Sequence, residues 1–169
     1  MASVKEDVLA ALGALGIPYE LLEHAPVHTM EDCRAAEEAL GGVMPKNLFL
    51  TPRNHASHHL LIARAEAPFR TSRISRQLGV SRLSFATAEE LMDMLRTLPG
   101  AISPMGLLFD GEKKVRLAID RALRGEERLL FHPCVNTATL AISGADFFER
   151  LLPALGHEAT YVDMEEDAE

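Results

Sequence analysis

Three segments of this 169-residue chain carry polar groups that a hydrophobic core does not need: "MPKN" at 44–47, "GAISPMG" at 100–106 and "FHPCVNT" at 131–137. The chain uses thirteen arginines and only four lysines, yet Lys46 stands between a proline and the apolar run 48–50, at the mouth of what reads as a buried strand. An ammonium there needs a partner to offset its desolvation. It could hold an ester carbonyl or a phosphate by charge and hydrogen bond, or its flexible stem could carry the head to water. In the second segment, backbone amides beside glycine and proline-fixed turns offer a nest for a carbonyl oxygen or a cradle for an amine; an ordinary connection has the same composition. In the third, His132, with Asn136 and Thr137 beyond it, has the chemistry for hydrogen-bond donation and proton transfer near neutral pH, and equally the position of a structural histidine at a strand end. Cys134 is a nucleophile only if its pKa is lowered, and a small buried thiol fits the same place.

His55, His58 and His59 in "HASHH" invite a metal reading. A strand entered from a turn points adjacent histidines to opposite faces, so no metal is assigned. Met92 and Met94 read as core and helix filler, and "DMEEDAE" at the end reads as a solvated charge run.

The elements that must position these groups follow from local signals. Ser3 to Glu6 forms a capping box ahead of Val4, Val8, Leu12 and Leu15 at helical spacing, which Gly16 and Pro18 stop. "YELLE" reads as a strand, "HAPVHT" as a loop, and Thr29 to Asp32 as a cap opening a helix that Gly41 and Gly42 end. Strands at 47–51 and "HHLLIA" form a hairpin across "PRNHAS", with Lys46 at its entry. "TSRISRQLG" is a short helix capped by its hydroxyl residues and arginine-rich on its exposed face. "RLSF" is a strand, and Thr87 to Glu90 repeats the capping box before "ELMDMLRTL". Beyond the 99–106 loop, "LLF" at 107–109 and "VRLAID" suggest a second hairpin. Strands at 129–131 and 137–143, a helix over "GADFFERLLPAL" and a strand near "ATYV" complete the chain. Strands and helices do not alternate regularly, which points to an α+β domain with a mixed, strongly curved sheet and helices around it, over 1–163, followed by an acidic tail at 164–169.

With 47% apolar and 25% charged residues, the chain is long enough to bury one sizeable core. No apolar stretch approaches the roughly 20 residues that span a bilayer and no signal peptide is apparent, so no membrane partner and a cytoplasmic location are expected. Cys33 and Cys134 are read as reduced thiols, since they form no CxxC. The net charge of −8 argues against a nucleic-acid partner until it is divided. Residues 46–82 hold Lys46, Arg53, Arg64, Arg70, Arg73, Arg76 and Arg82 against Glu66 alone, a local +6.

Taken together, "GIPYELLEHAPVHTMED", "KNLFL", "FRTSRISRQLGVSRLSFATAEEL", "PGAISPMGLLFD" and "FHPCVNTATLAI" resemble, in this order, the YbaK and prolyl-tRNA-synthetase-associated editing domains, closest to the free-standing Ala-tRNA(Pro) deacylases. The resemblance covers nearly the whole chain. It implies a mixed sheet folded nearly into a barrel and hydrolysis of the ester between a wrong amino acid and tRNA(Pro), most simply alanine, with Cys-, Ser- or Thr-charged tRNA and a non-catalytic module that binds tRNA or a synthetase as alternatives. It assigns Lys46 and His132 to catalysis. Val27, Thr29, Gly100, Ser103, Pro104, Met105, Gly106 and Asn136 fall to substrate binding, and Arg70, Arg73, Arg76 and Arg82 to tRNA, with Arg82 at the acceptor stem. In the family's usual mechanism the lysine positions substrate and the 2′-hydroxyl of the terminal adenosine helps activate water, so neither a protein nucleophile nor a cofactor is implied. Prolyl-tRNA synthetase is an expected partner. The chain departs from its relatives at 64–76, where arginines stand for lysines, and at the hairpin tip "PRNHASHH".

Overall fold

Several helix starts obey the capping chemistry. In the computed structural model, which describes residues 3–26 and 30–164, α1 (Val4–Ala14) begins at Ser3, whose hydroxyl accepts from the Glu6 amide. α4 (Ala88–Leu95) opens with a complete capping box, Thr87 and Glu90 each accepting from the other's backbone N–H. Strand β1 (Glu20–Glu23) and helix α2 (Met30–Leu40) follow α1; the cap expected at Thr29 lies outside the described residues. β2 (Lys46–Pro52) and β3 (His58–Ala63) form the expected antiparallel hairpin, with Lys46 opposite Ala63.

α3 (Thr71–Leu78) departs from expectation at its start. Its cap is Arg70, which makes no side-chain cap bond, while the Ser75 hydroxyl donates to the Thr71 carbonyl and accepts from the Leu83 amide. That second bond ties the helix to β4 (Leu83–Phe85). The strand expected at 107–109 is a 3-10 helix, Pro104–Phe109, entered through a Ser103 cap with proline in its first turn. The second hairpin is therefore absent: β5 (Val115–Asp120) pairs in parallel with β3 and with β8 (Ala159–Val162). β6 (Arg128–Phe131) and β7 (Ala138–Ser143) lie where expected. The last helix runs α5 (Gly144–Asp146), a π turn (Phe147–Leu151) and α6 (Leu152–Leu155), and Gly156 ends it in the left-handed region.

The single curved sheet of the sequence reading is two sheets. One has the order β4-β2-β3-β5-β8, the other β1-β7-β6. An isolated parallel bridge between Val43 and Leu129 lies where they meet, and the two sheets do not close into a barrel. Between the sheets lies the main core, where Phe49, Leu60, Leu117, Phe131 and Leu140 meet Val8 and Leu12 of α1 and Leu91 and Leu95 of α4. Each such side chain stabilises the fold by about 1.5–3 kcal/mol through burial. On the outer faces, Ile74 of α3 packs with Leu50, Leu61 and Met164, and Ala36 of α2 packs with Met44, Leu130 and Ala141. Met164 thus belongs to the packed domain, while the rest of the acidic tail lies outside the described residues. No helix among the described residues is long and apolar enough to cross a membrane.

Candidate active site and nucleic-acid-facing surface

Alternation along β2 decides where Lys46 points. Phe49 packs in the main core, whereas Leu48 and Leu50 pack on the α3 side. Lys46 shares the latter face. Its ammonium donates to the carbonyl of Ala67, in the segment between β3 and α3, and it forms no ion pair with a carboxylate among the described residues. The next residue, Asn47, has its side-chain oxygen buried with no hydrogen-bond partner. A buried amide acceptor left in that state costs about 1–3 kcal/mol.

His132 follows β6 on the face of Leu130. Its Nδ1–H donates to the Ala138 carbonyl at 2.9 Å, which leaves Nε2 as the acceptor nitrogen of the neutral ring. Burial lowers its pKa; the Ala138 carbonyl opposes the lowering and nearby His24 adds to it. His24, at the end of β1, sits on the other flank of β7, with Nδ1 bonded to the Ala25 carbonyl and Nε2 to the Thr139 hydroxyl, each at 2.8 Å. Behind it, Leu22, Ala25, Pro26, Ala35 and Ala36 line a cavity of about 210 Å³ between β1 and α2. The sequence reading missed His24 and Asn47. The only signal for either was its place in a quoted motif, "HAPVHT" for His24 and "MPKN" for Asn47.

The Val43–Leu129 bridge is parallel, and Lys46 and His132 each stand three residues beyond it. Met44 and Leu130, one residue beyond, already share a cluster. Beyond it, Lys46 opens β2 in one sheet, while β6 ends at Phe131 in the other. The glycine-proline and histidine-proline loops also approach one another: a methyl on Gly100 would lie 3.7 Å from Nδ2 of Asn136. Ser103, Pro104, Met105 and Gly106 are buried, the Ser103 hydroxyl capping Met105 and Gly106 pressed against Leu95. Val27 and Thr29 lie outside the described residues. Cys134 is buried and burial pushes its thiol up to about 12, with Arg96 pulling weakly the other way, so it is no thiolate at neutral pH.

The arginines gather on one surface. Arg76 and Arg82, both exposed, line a concavity of about 570 Å³ with Thr71, Ser72, Ser75 and Val80. Arg70 is exposed at the start of α3. Arg73 is partly structural: its Nε donates to the Asp163 carbonyl, beside a reciprocal pair of bonds between Gln77 and the Asp163 backbone. The hydroxyl residues Thr71 and Ser72 between guanidinium groups make a surface suited to phosphate oxygens.

Residues 24–149 match the model of the aminoacyl-tRNA editing domain. The chain is 31% identical over 160 residues to the prolyl-tRNA editing protein ProX of Acetoanaerobium sticklandii, covering 95% of this chain and 97% of the relative. It is 30% identical over 161 residues to the prolyl-tRNA synthetase associated domain-containing protein 1 of Mus musculus, covering 93% and 94%. A crystal structure described as a candidate trans-editing enzyme for prolyl-tRNA synthetase superposes with a TM-score of 0.74 over 99% of both chains, at 18% identity, a likeness of fold. The chain belongs to the aminoacyl-tRNA editing domain family.

Proposed function

We propose that the protein is a trans-editing hydrolase that deacylates mischarged tRNA(Pro), with Ala-tRNA(Pro) as its preferred substrate. The observation that carries this reading is the place of both residues at the sheet junction, where Lys46 and His132 each lie three residues beyond the Val43–Leu129 bridge. The 3′ end of an aminoacyl-tRNA enters between them. The Lys46 ammonium, neutralised by no carboxylate among the described residues, is drawn to the ester carbonyl or the terminal phosphate.

Water attacks the ester carbonyl, the bond to the ribose oxygen breaks, and the products are a free amino acid and tRNA with its terminal hydroxyls restored. The vicinal 2′-hydroxyl orients the water, and Nε2 of His132 accepts a hydrogen bond from it or from that hydroxyl. Selectivity is steric. A synthetase pocket built for proline rejects the smaller alanine weakly, because a missing methylene is worth only about 1–3 kcal/mol. A second pocket too small for proline removes the error. Arg70, Arg73, Arg76 and Arg82 hold the polynucleotide, and prolyl-tRNA synthetase, the source of the mischarged substrate, is the expected partner.

The test is the Lys46→Ala variant on Ala-tRNA(Pro). Deacylation falls to background while the melting temperature stays near that of the wild type; full activity in the variant rules out the assignment.

A further inference from the structure

At the far end of β2 from Lys46, the tip of the β2–β3 hairpin carries a cluster that editing does not use. His58 and His59 point to opposite faces, as alternation requires: His59 is buried and bonded to the Ser57 hydroxyl. The metal reading of the three histidines fails for that reason, but the structure replaces His59 with a carboxylate from elsewhere. His55 Nδ1 lies 2.9 Å from Oε2 of Glu90, and His58 Nε2 meets the same oxygen. The three ligand atoms all lie within 4.8 Å of one another.

Each partner is held by its own local structure. Glu90 keeps its other oxygen on the Thr87 amide through the α4 capping box. His55 adopts a left-handed backbone, φ 54°, its amide bonded to the Pro52 carbonyl, and this turns the ring back toward α4. The His58 ring stacks on Phe49 with centroids 5.6 Å apart. Side-chain exposure runs from 50% at His55 to 14% at His58, so the cluster is organised at its base and open to solvent on one side.

We propose that His55, His58 and Glu90 bind a divalent transition-metal ion of the zinc class, with water completing the shell. Two imidazoles and one carboxylate with an open position is a recurrent zinc donor set, and imidazole ligands favour this part of the transition series over magnesium or calcium. In tetrahedral coordination the donor atoms stand about 3.4 Å apart. Both histidine–glutamate contacts are hydrogen bonds shorter than that, so an ion would replace them, and the half-exposed His55 ring has room to move aside. The ion fastens the hairpin tip to α4, whose C-terminal end leads into the 99–106 loop; it does not touch substrate.

Cobalt(II) titrated into the chelator-stripped full-length protein tests this. One equivalent should bind with the intense visible absorption of a four- or five-coordinate site, and zinc should displace it. Both His58→Ala and Glu90→Gln should weaken binding by about tenfold or more. Glutamine retains the capping box, so Glu90→Gln separates loss of the ligand from loss of the helix start. In the unmutated protein, zinc should shift the ¹⁵N signals of His55 Nδ1 and His58 Nε2. Absence of the visible bands, binding that survives in either variant, or ring-nitrogen shifts at other histidines would overturn the proposal and leave a hydrogen-bonded clasp.

Discussion

The rings of His24 and His132 meet edge-on across the end of β7, centroids 6.4 Å apart at an interplanar angle of 64°. Burial and the neighbouring His24 hold the His132 ring below the ordinary histidine pKa of about 6.5, against the opposing pull of the Ala138 carbonyl. The ring is therefore neutral at pH 7, with Nε2 able to accept a proton.

The first prediction is a pH profile. kcat/KM for deacylation should be flat from pH 7 to 8 and fall only on the acid side, with an apparent pKa below 6.5. His132→Ala should lower kcat by about 100-fold, the lower range for a general acid or base, and should remove that acid limb. Stability carries the same sign. A ring that binds a proton less readily when folded stabilises the native state above about pH 6.5, and that contribution is lost as pH falls through the folded value. Urea midpoints at pH 7 and pH 5 check it.

Arginine surface and active site should separate kinetically. Arg76→Ala and Arg82→Ala should raise KM for charged tRNA several-fold with little change in kcat. Each should also flatten the dependence of log K on log salt by about 1 if its guanidinium contacts one phosphate. Binding of uncharged tRNA measured between low and moderate salt provides the slopes. Arg73→Ala should behave differently, because it also releases the link to Asp163 and so lowers the melting temperature.

Two glycines of one segment should respond in opposite ways. A Cβ on Gly106 would lie 2.7 Å from both the Cβ and the carbonyl oxygen of Leu95, so Gly106→Ala should cost about 1–3 kcal/mol of stability. Among the described residues, a Cβ on Gly100 meets only Asn136, at ordinary contact distance. Gly100→Ala should therefore fold normally and lose about tenfold or more in kcat/KM, as a methyl group narrows the gap between the loops. Thermal melts beside turnover assays distinguish the two.

Most of the element order was legible because it rests on short-range chemistry. The Thr87–Glu90 capping box, the β2–β3 hairpin and the left-handed glycine ends of α3 and α6 all formed as local signals require. What failed turned on a local start signal ahead of an apolar run and on distant partners. "LLF" at 107–109 has a strand's composition, but the Ser103 cap and Pro104 start a 3-10 helix, and Val115–Asp120 finds its neighbours in β3 and β8. The same holds at the sites. Lys46, His132 and the arginine run stand out by residue type, whereas the His24–His132 contact spans two strands of one sheet and the third member of the His55–His58 cluster comes from α4.

The measurement that bears most directly on the proposed activity is release of labelled amino acid from pre-charged tRNA(Pro), with alanine, proline, cysteine, serine and threonine compared at catalytic protein concentration. Rapid, multiple-turnover release of alanine with Pro-tRNA(Pro) left intact is the expected result. Equal hydrolysis of the alanyl and prolyl esters, or no release from any of the five, would contradict it.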